Sequence, residues 1–316
     1  MGILEKQNNS AEIPLRALGR TGVDVTAIGI GGYHLGLMKD DNEAVRLVHE
    51  AVDAGITFLD NAWEYHGGRS EELMGRAIQD RRDEVFLMTK VCTHGRDRHV
   101  AMRQLEESLR RLKTDYLDLW QVHEVVYDNE PELHFAKGGV IEALEQARRE
   151  GKVRFIGFTG HKSPEIHLKM LSYDYPFDAC QLPLNCFDAT FRSFERQVLP
   201  ELGRRGIAAI GMKSLGGEGS MVKAGAVTAE EALRYAMSLP VATVVSGMES
   251  LDVLRQNLGV AHGFTPMSDD EMRRLRERCA EMAGDGRFEH FKTTLKFEGP
   301  IGRAQHGFPA PGELGA

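Results

Sequence analysis

Short, nearly unbroken apolar runs alternate with amphipathic segments along most of the chain. The apolar runs lie near residues 26–32, 56–60, 84–90, 116–123, 153–158, 177–182, 207–213 and 241–247. Runs of this length without polar alternation are typical of strands buried on both faces of a parallel sheet. The amphipathic segments have helical spacing, and several end in glycine, as at Gly55, Gly151 and Gly206. Such glycines are typical helix C-terminal caps, so the pattern predicts alternating strands and helices.

Eight strand–helix units in roughly 250 residues predict an α/β fold, namely a single (β/α)8 TIM barrel. A doubly wound sheet is the alternative, but it usually holds fewer strands in this length. We expect an N-terminal β-hairpin at about 14–27 and the barrel at about 26–262. The segment at about 284–316 is rich in Gly, Pro and Phe, which predicts an extended C-terminal tail over or beside the barrel mouth. Residues 1–316 contain no linker or low-complexity segment, so a single domain is predicted.

Composition narrows the class of protein. The 316 residues are 42% hydrophobic, which is enough for a large core, and their net charge of −8 argues against a nucleic-acid-binding face or a polybasic membrane patch. The four cysteines are scattered without a CxxC pair, as expected in a reducing compartment. The polar N-terminus lacks the apolar core of a signal peptide, and no apolar run is long enough to cross a bilayer. The sequence therefore predicts a soluble, cytoplasmic protein without nucleic-acid or membrane partners.

Four polar residues stand at or just after the ends of the second, third and fourth apolar runs. They are Asp60 and Tyr65 in FLDNAWEYHG, Lys90 in VFLMTKV, and His123 in LDLWQVHE. If they converge, Lys90 would lower the pKa of Tyr65 and Asp60 would keep the lysine charged. A tyrosine tuned in this way can protonate a carbonyl oxygen as it is reduced. The alternative is that Asp60 and Lys90 form only a structural ion pair.

The ordered motifs over residues 14–257 resemble the aldo-keto reductase family. Members are (β/α)8 barrels that bind a nicotinamide cofactor in an extended pose, and their catalytic Asp, Tyr, Lys and His correspond to Asp60, Tyr65, Lys90 and His123. The resemblance implies that Tyr65 is the general acid in reduction and the general base in oxidation. It also implies that Lys90 with Asp60 tunes the pKa of Tyr65, and that His123 orients and polarises the carbonyl.

The same resemblance implies a set of cofactor contacts. Thr159 and Gly160 stand where the family has Ser-Asn, and Gln181 matches the glutamine that holds the carboxamide. Met212 replaces the aromatic residue under the nicotinamide, and its polarizable thioether can pack against the ring. The other candidates are Gly31, Lys213, Ser214, Leu215, Gly217, Gly247, Met248, Glu249, Arg255, Gln256 and Asn257.

The choice between the two nicotinamide cofactors is nearly even. Val253 occupies the position of the arginine that usually holds the adenosine 2′-phosphate, although Arg255 lies two residues further on. Glu249 could instead accept hydrogen bonds from a free ribose hydroxyl, as in NAD-selective sites. The family default places NADP slightly ahead of NAD.

Loop residues near the strand ends are the candidates for a substrate pocket. They are His34, Trp63, His66, His94 and Trp120. Trp120 alternates with Leu117 and Leu119, so packing between barrel and helices is equally consistent with its position. The histidines show no HExxH motif or paired spacing, so no metal site is predicted.

The four polar residues and the family resemblance together imply an NAD(P)(H)-dependent oxidoreductase that interconverts a carbonyl and an alcohol on a small polar or sugar-like substrate. The sugar preference rests on polar rim residues, including Glu64 and Glu124, and on an aromatic content of only 7%. A cofactor-retaining epimerase or isomerase would use the same four residues and stays open. A nucleotide-binding redox-sensing subunit is the non-enzymatic alternative, and the oligomeric state is also open.

Overall fold

The computed structural model describes residues 12–92 and 97–313. The strands of the described chain are β1 Leu15–Ala17, β2 Asp24–Thr26, β3 Ile28–Gly31, β4 Phe58–Asp60, β5 Phe86–Val91, β6 Leu117–Val122, β7 Val153–Thr159, β8 Ala179–Pro183, β9 Ala208–Met212 and β10 Thr243–Gly247. Its first helices are α1 Gly32–Leu37, α2 Asp41–Asp53, α3 Arg69–Ile78, α4 Arg98–Leu112, α5 Glu130–Phe135, α6 Val140–Arg149 and α7 Pro164–Leu171. The later helices are α8 Phe194–Gln197, α9 Leu199–Arg205, α10 Ser220–Lys223, α11 Ala229–Ser238, α12 Leu251–Ala261, α13 Asp269–Ala283, α14 His290–Thr293 and α15 Pro300–Gln305. Single 3-10 turns lie at Tyr65–Gly68, Arg82–Glu84 and Pro311–Glu313.

Strands β3 to β10 close into a parallel barrel in which β10 pairs with both β9 and β3. Strands β1 and β2 form a separate antiparallel pair in which Leu15 lies opposite Thr26. The (β/α)8 barrel and the N-terminal hairpin predicted from the sequence are therefore confirmed. None of the helices within 12–92 and 97–313 has the length and apolarity needed to cross a membrane.

The interior of the barrel is apolar at one end and polar at the other. Side chains two residues apart on a strand point the same way, so Phe58 and Asp60 both face inward, as do Met88 and Lys90. Phe58 and Met88 belong to an apolar cluster that hairpin residues such as Leu18 complete from below. Burying each of these large side chains contributes about 1.5–3 kcal/mol to stability. The apolar layers thus support the polar residues at the carboxyl ends of the strands.

The outer layer packs amphipathic helices against the barrel wall. Helix α2, for example, buries Leu47 and Val48 on one face, and the side chain of Asp40 caps its first turn by accepting from the Asn42 N–H at 2.8 Å. Trp120 lies in this layer, with 1% of its surface exposed, among apolar residues between strands and helices. It points away from the barrel interior because its neighbours in sequence, such as Gln121, point inward.

The C-terminal tail crosses the mouth of the barrel. Tyr127 Oη donates to Glu298 at 2.8 Å, and the Gly299 N–H donates to Glu124 Oε2 at 2.9 Å. The expectation of an extended tail is wrong in part, because α14 and α15 are helical. Helices this short show no recognisable apolar period in the sequence, and the contacts of the tail with the barrel hold them in place.

Candidate active site

An ion pair between Asp60 and Lys90 forms the floor of the site. Both side chains are almost completely buried, and the Lys90 ammonium donates to Asp60 Oδ1 and, at 2.7 Å, to the Asn61 carbonyl oxygen. The second Asp60 oxygen accepts from Gln181 Nε2 at 2.6 Å. Burial lowers the pKa of Lys90, and Asp60 opposes that shift by favouring the ammonium form. The pair therefore holds the positively charged Lys90 ammonium in a fixed position beneath the mouth of the barrel.

Tyr65 stands above this pair in the 3-10 turn that follows β4. Lys90 Nζ lies 5.1 Å from the centre of its ring, and the His123 ring lies 5.5 Å away, edge to face. The ring of Tyr33 packs on another side at 5.4 Å. The structure thus brings together all four residues that the sequence predicts as catalytic.

The predicted lowering of the Tyr65 pKa is wrong for this arrangement. Burial of the phenol raises its pKa well above the usual value, and the negative charges of Asp60, Glu124 and Glu64 raise it further. Lys90 lies over the ring face and Asp60 offsets part of its positive charge, so it does not reverse these effects. Tyr65 is consequently a protonated phenol at neutral pH.

His123 is neutral and in contact with a carboxylate. Burial lowers its pKa to about 4, and Lys90 adds to the shift while Glu124 opposes it. Its Nδ1 atom lies 2.8 Å from Glu64 Oε1, which is within hydrogen-bond distance. The angle between the two groups does not meet hydrogen-bond geometry. Catalytic hydrogen bonds often align fully only when the reacting groups are bound.

A second carboxyl group, that of Glu124, lies beside His123 and Glu64. Burial and the charge of Glu64 raise the pKa of Glu124 to about 7, so it exchanges a proton near neutral pH. Its backbone has φ of +51°, a strained conformation for a side chain of this kind. The tail contacts both carboxyl groups, because a Cβ at Gly299 would lie 2.6 Å from Glu64 Oε2 and 3.0 Å from Glu124 Oε2.

Ligand atoms of Glu64, His123 and Glu124 all lie within 4.8 Å of one another. In the described part of the chain, this is the group of His, Cys, Asp and Glu side chains whose ligand atoms are close enough together to hold a metal ion. Two of its oxygens are engaged, since Glu64 Oε2 lies 2.8 Å from Cys92 Sγ and Glu124 Oε2 accepts from Gly299. The absence of a metal site stays a prediction.

Strands β7 and β8 present the groups expected to hold a nicotinamide carboxamide. Thr159 and Gln181 are register partners, each with 1% of its surface exposed. Gln181 Oε1 is buried with no hydrogen-bond partner, and a buried acceptor of this kind fits an amide N–H₂ donor. The asparagine that the family has at the position of Gly160 does not fit here, because a Cβ at residue 160 would lie 2.3 Å from the Val125 carbonyl oxygen. The next residue, His161, has a buried Nε2 atom that also has no partner.

The glycine-rich segment after β9 lies directly under the tail. Lys213 has φ of +55°, and its Nζ atom lies 5.4 Å and 5.3 Å from the ring centres of Phe291 and Phe297. Gly217 has φ of +81°, and a Cβ there would contact Phe297 at 3.4 Å. Burial lowers the pKa of Lys213 to about 8. Met212 and Leu215 are half-buried in the same segment, and Ser214 is buried.

The remaining cofactor candidates lie near the end of β10 and form two groups, one at the barrel rim and one exposed to solvent. Gly31, Gly247, Met248 and Asn257 lie at the rim, and Asn257 Nδ2 donates to Ser246 Oγ at 3.1 Å. Glu249, Gln256 and Arg255 are exposed. The guanidinium of Arg255 donates to both oxygens of Glu50 on α2, at 2.8 Å and 3.2 Å, so a partner already holds it.

The predicted pocket residues do not all reach the mouth. The His34 ring lies on Gly247, where an added Cβ would be 2.0 Å from Nδ1, and His66 is 2.9 Å from the Tyr33 carbonyl oxygen. Trp63 turns to α4, where its Nε1 donates to Glu107 at 2.7 Å. Trp120, as described, faces the outer layer, so its placement in the pocket is wrong and packing against the helices is correct. His94 lies outside the described residues.

Several residues at the mouth were not among the sequence candidates. Tyr33 adjoins Tyr65, Cys92 adjoins Glu64, and Gly299 lies between the two carboxyl groups. Cys92 directly follows β5, and position relative to a strand end would have identified it. Gly299 is remote in sequence, and no local pattern shows that the tail returns over the barrel.

A closed parallel barrel with polar side chains gathered at the carboxyl ends of its strands has the architecture of (β/α)8-barrel proteins. The sequence model of the Aldo/keto reductase family matches residues 27–226, which is more than half of the chain. The protein belongs to this family of oxidoreductases, and the resemblance found in the sequence is confirmed.

Individual relatives agree with this placement. The chain is 36% identical over 155 residues to the uncharacterized oxidoreductase YqkF of Bacillus subtilis (strain 168), covering 46% of this chain and 48% of that protein. It is also 36% identical over 159 residues to L-galactose dehydrogenase of Arabidopsis thaliana, covering 47% of this chain and 49% of that protein. The matches thus span about half the length of these curated relatives.

A solved structure shows the same fold. The aldo-keto reductase from Klebsiella pneumoniae in complex with NADPH has a TM-score of 0.69 with this chain at 23% identity. The superposition covers 85% of this chain and 95% of that chain. At this identity the likeness concerns the barrel architecture.

Proposed function

We propose that the protein is an NAD(P)(H)-dependent oxidoreductase that interconverts a carbonyl and an alcohol on a small polar or sugar-like substrate. The observation that carries the proposal is the convergence of Tyr65, His123 and the Asp60–Lys90 pair at the carboxyl end of one barrel. Membership of the family supports this reaction class. Neither the epimerase nor the redox-sensing alternative gains support from the comparisons.

The proposed chemistry divides between the protein and a nicotinamide, which supplies the hydride when it is bound. Gln181 Oε1 and Thr159 would hold the carboxamide, and the orphaned Nε2 of His161 would stand in for the amide that Gly160 lacks. The glycines of the segment 215–219 would allow the backbone to approach a pyrophosphate closely. The main support for these placements is Gln181 Oε1, a buried acceptor that has no hydrogen-bond partner.

Tyr65 would deliver its proton to the carbonyl oxygen, since its raised pKa keeps the phenol protonated at neutral pH. His123 would fix the direction from which that oxygen is approached. The Asp60–Lys90 pair would place positive charge near the oxygen as negative charge develops on it.

The first experiment is a calorimetric titration of the purified protein with NADPH and, separately, with NADH. A panel of small aldehydes and aldoses then follows, with oxidation of the bound reduced nicotinamide as the readout. Binding of a nicotinamide and turnover of at least one polar carbonyl compound are expected, with NADP(H) slightly preferred. If a folded, nucleotide-free sample bound neither cofactor, the result would contradict the proposal.

Arg255→Gln is expected to change the dissociation constant for NADPH by less than about 3-fold. The guanidinium is exposed and paired with Glu50, and solvent screens exposed pairs of this kind. Calorimetry with NADPH and NADH checks the expectation. A 10-fold or greater loss, on the order of 1.4 kcal/mol, for NADPH alone would show that Arg255 leaves Glu50 to bind the 2′-phosphate.

Gly299→Ala is expected to lower the kcat/KM for carbonyl reduction about 10-fold, because a near-attack geometry is sensitive to shifts of an ångström. The added Cβ would lie 2.6 Å from Glu64 Oε2, so the carboxylate or the tail must move. Gly312→Ala is the matched control, since a Cβ there meets nothing within 4 Å. Equal kinetics for the two variants would show that the approach of the tail to Glu64 is unimportant.

A further inference from the structure

The ammonium group of Lys213 lies in the barrel mouth without a counterion. Lys213 directly follows β9 and is half-buried under the tail, where the rings of Phe291 and Phe297 lie 5.4 Å and 5.3 Å from Nζ. Among the residues that the structure describes, none accepts a hydrogen bond from Nζ or forms an ion pair with it. The ring faces attract the cation but leave its N–H donors unused. Because charges inside a protein are normally paired, this ammonium is suited to an anionic ligand.

The Lys213 ammonium faces the catalytic groups of the mouth. Among the charged side chains, Glu124 acts on it most strongly. The Asp60–Lys90 pair comes next, ahead of Glu218 in its own segment. Burial lowers the pKa of three histidines that follow three different strands, and the charge of Lys213 adds to each shift. These histidines are His34, His123 and His161. The ammonium is therefore directed into the space that these residues share.

The mouth has a basic side and an acidic side. In the closed barrel, β9 lies three strands from β4 in one direction and three strands from β6 in the other. Glu64 and Glu124 follow β4 and β6, so their carboxyl groups enter the mouth far from the strand that carries Lys213. Carboxylates accept hydrogen bonds from hydroxyl groups, and an ammonium donates to anionic oxygens. The two sides together fit a hydroxylated compound with one anionic end.

We propose that Lys213 binds a carboxylate or phosphate group of the substrate, so that the preferred substrates are acidic or phosphorylated carbonyl compounds. The ammonium donates charge-assisted hydrogen bonds to the oxygens of this group. The diphosphate of a dinucleotide has the same chemistry and is the other source of such an anion. The position of the ammonium among the catalytic groups favours the substrate. This inference rests on the proposed function, because it assumes that the substrate is a carbonyl compound.

Two probes that cannot be reduced test the anion site by binding alone. Gluconate and sorbitol share the same polyhydroxylated carbon chain, and only gluconate carries a carboxylate. Both are titrated calorimetrically into the protein, without and with a bound nicotinamide dinucleotide. We expect gluconate to bind at least about 10-fold more tightly than sorbitol in both states, because hydrogen bonds to charged groups are the stronger ones. Equal affinities would overturn the proposal.

Three variants identify the cation. In Lys213→Met the preference for gluconate over sorbitol should disappear, whereas Lys213→Arg keeps a positive charge and should keep most of the preference. Lys223→Met is the matched control, because Lys223 is an exposed lysine on α10, shortly after the glycine-rich segment. It should show the wild-type preference. A preference that survives Lys213→Met unchanged would contradict the assignment.

Kinetics with glyceraldehyde 3-phosphate and glyceraldehyde test the same contact during turnover. In Lys213→Met the ratio of the two kcat/KM values should fall at least about 10-fold, mainly through a higher KM for the phosphorylated compound. If Lys213 only holds the tail through Phe291 and Phe297, both compounds should be affected alike. A constant ratio would therefore overturn the proposal.

Calorimetry of Lys213→Met with NADPH and NADH distinguishes the two sources of the anion. A loss of affinity for both dinucleotides, with both preference ratios unchanged, would assign the ammonium to the cofactor diphosphate and overturn the substrate assignment. A gluconate preference that disappears once a dinucleotide is bound would have the same meaning.

The gluconate titration needs no turnover, so it can fail or succeed independently of the proposed function. A protein that reduces no carbonyl compound but shows a Lys213-dependent preference for gluconate would refute the proposed function and leave the anion site standing. A protein that reduces carbonyl compounds without any preference for anionic ones would refute the anion site alone. If Lys213→Met does not fold, Lys213→Gln takes its place, and equal affinities in the wild-type protein overturn the proposal in either case.

Discussion

Tyr65→Phe is expected to lower kcat for carbonyl reduction by about 10²- to 10⁴-fold, the usual contribution of a positioned proton donor. The substitution removes the phenolic proton and leaves the ring that Lys90, His123 and Tyr33 contact. The affinity for the nicotinamide should stay nearly unchanged, because Tyr65 is not among the groups expected to hold it. Steady-state kinetics and calorimetry with the cofactor test the two parts separately.

Tyr33→Phe is the matched control for this variant. Tyr33 also lies at the mouth, with its ring 5.4 Å from that of Tyr65, but it is exposed and makes no contact with Lys90. It should retain most of the turnover. If both variants kept near-normal kcat with every carbonyl compound that the parent reduces, the proton donor would have to be another group.

The raised pKa of Tyr65 also fixes the sign of its pH dependence. Because the phenol keeps its proton up to high pH, loss of that proton should not limit reduction near neutral pH. A decline in reduction between about pH 6 and about pH 9 would instead reflect Glu124, because burial and the charge of Glu64 raise the pKa of this carboxyl group to about 7. Glu124→Gln removes this carboxyl group and leaves Tyr65 in place, so the pH profile of kcat/KM for reduction in this variant separates the two origins.

The barrel could be predicted from the sequence because each strand and each helix has its own local pattern of apolar residues, and this pattern repeats along the chain. Each strand is a short apolar run and each helix an amphipathic one, so errors in single boundaries do not change the count. The convergence of Asp60, Lys90 and His123 followed from the same pattern, since parallel strands place their carboxyl ends on one rim.

The electrostatics could not be predicted in the same way. Lys90 does lie near Tyr65, yet the pKa of the phenol rises, because its value depends on burial and on carboxylates from two separate segments, Asp60 and Glu64 at the end of β4 and Glu124 after β6. The role of the tail depends on equally remote contacts, such as that of Gly299 with Glu124. Arg255 illustrates the same limit, because its partner Glu50 lies on a helix 205 positions earlier in the chain.

A buried ionic cluster anchors the tail, and its loss should have the largest effect on stability. Lys292 is fully buried, and its ammonium donates to Asp188 Oδ1 at 2.6 Å, to Glu289 Oε2 at 3.0 Å and to the Phe191 carbonyl oxygen at 2.8 Å. Asn185 Nδ2 supplies a further donor to Glu289 at 3.0 Å. The lysine therefore lies between two buried carboxylates and forms an ion pair with each.

Lys292→Met is expected to lower the free energy of unfolding by about 3–5 kcal/mol, because it leaves two buried negative charges without their cation. For a chain of this size, that corresponds to a decrease in Tm of about 5–8 °C. Thermal denaturation followed by circular dichroism measures it. Lys296→Met is the control, since it makes the same substitution at an exposed position of the same tail, and it should change Tm by less than about 1 °C.

The pH dependence of this loss distinguishes an electrostatic anchor from simple packing. Burial raises the pKa of Glu289 to about 7 and also raises that of Asp188, and Lys292 opposes both shifts. A carboxyl with a higher pKa in the folded state binds its proton more tightly there, so acidification from about pH 8 to about pH 5 stabilises the fold through that group. Without Lys292 both carboxyl groups should bind protons more strongly, and the deficit in Tm should shrink as the pH falls. A deficit that is constant or grows toward acidic pH would mean that Lys292 supports the tail through its packing and not through its charge.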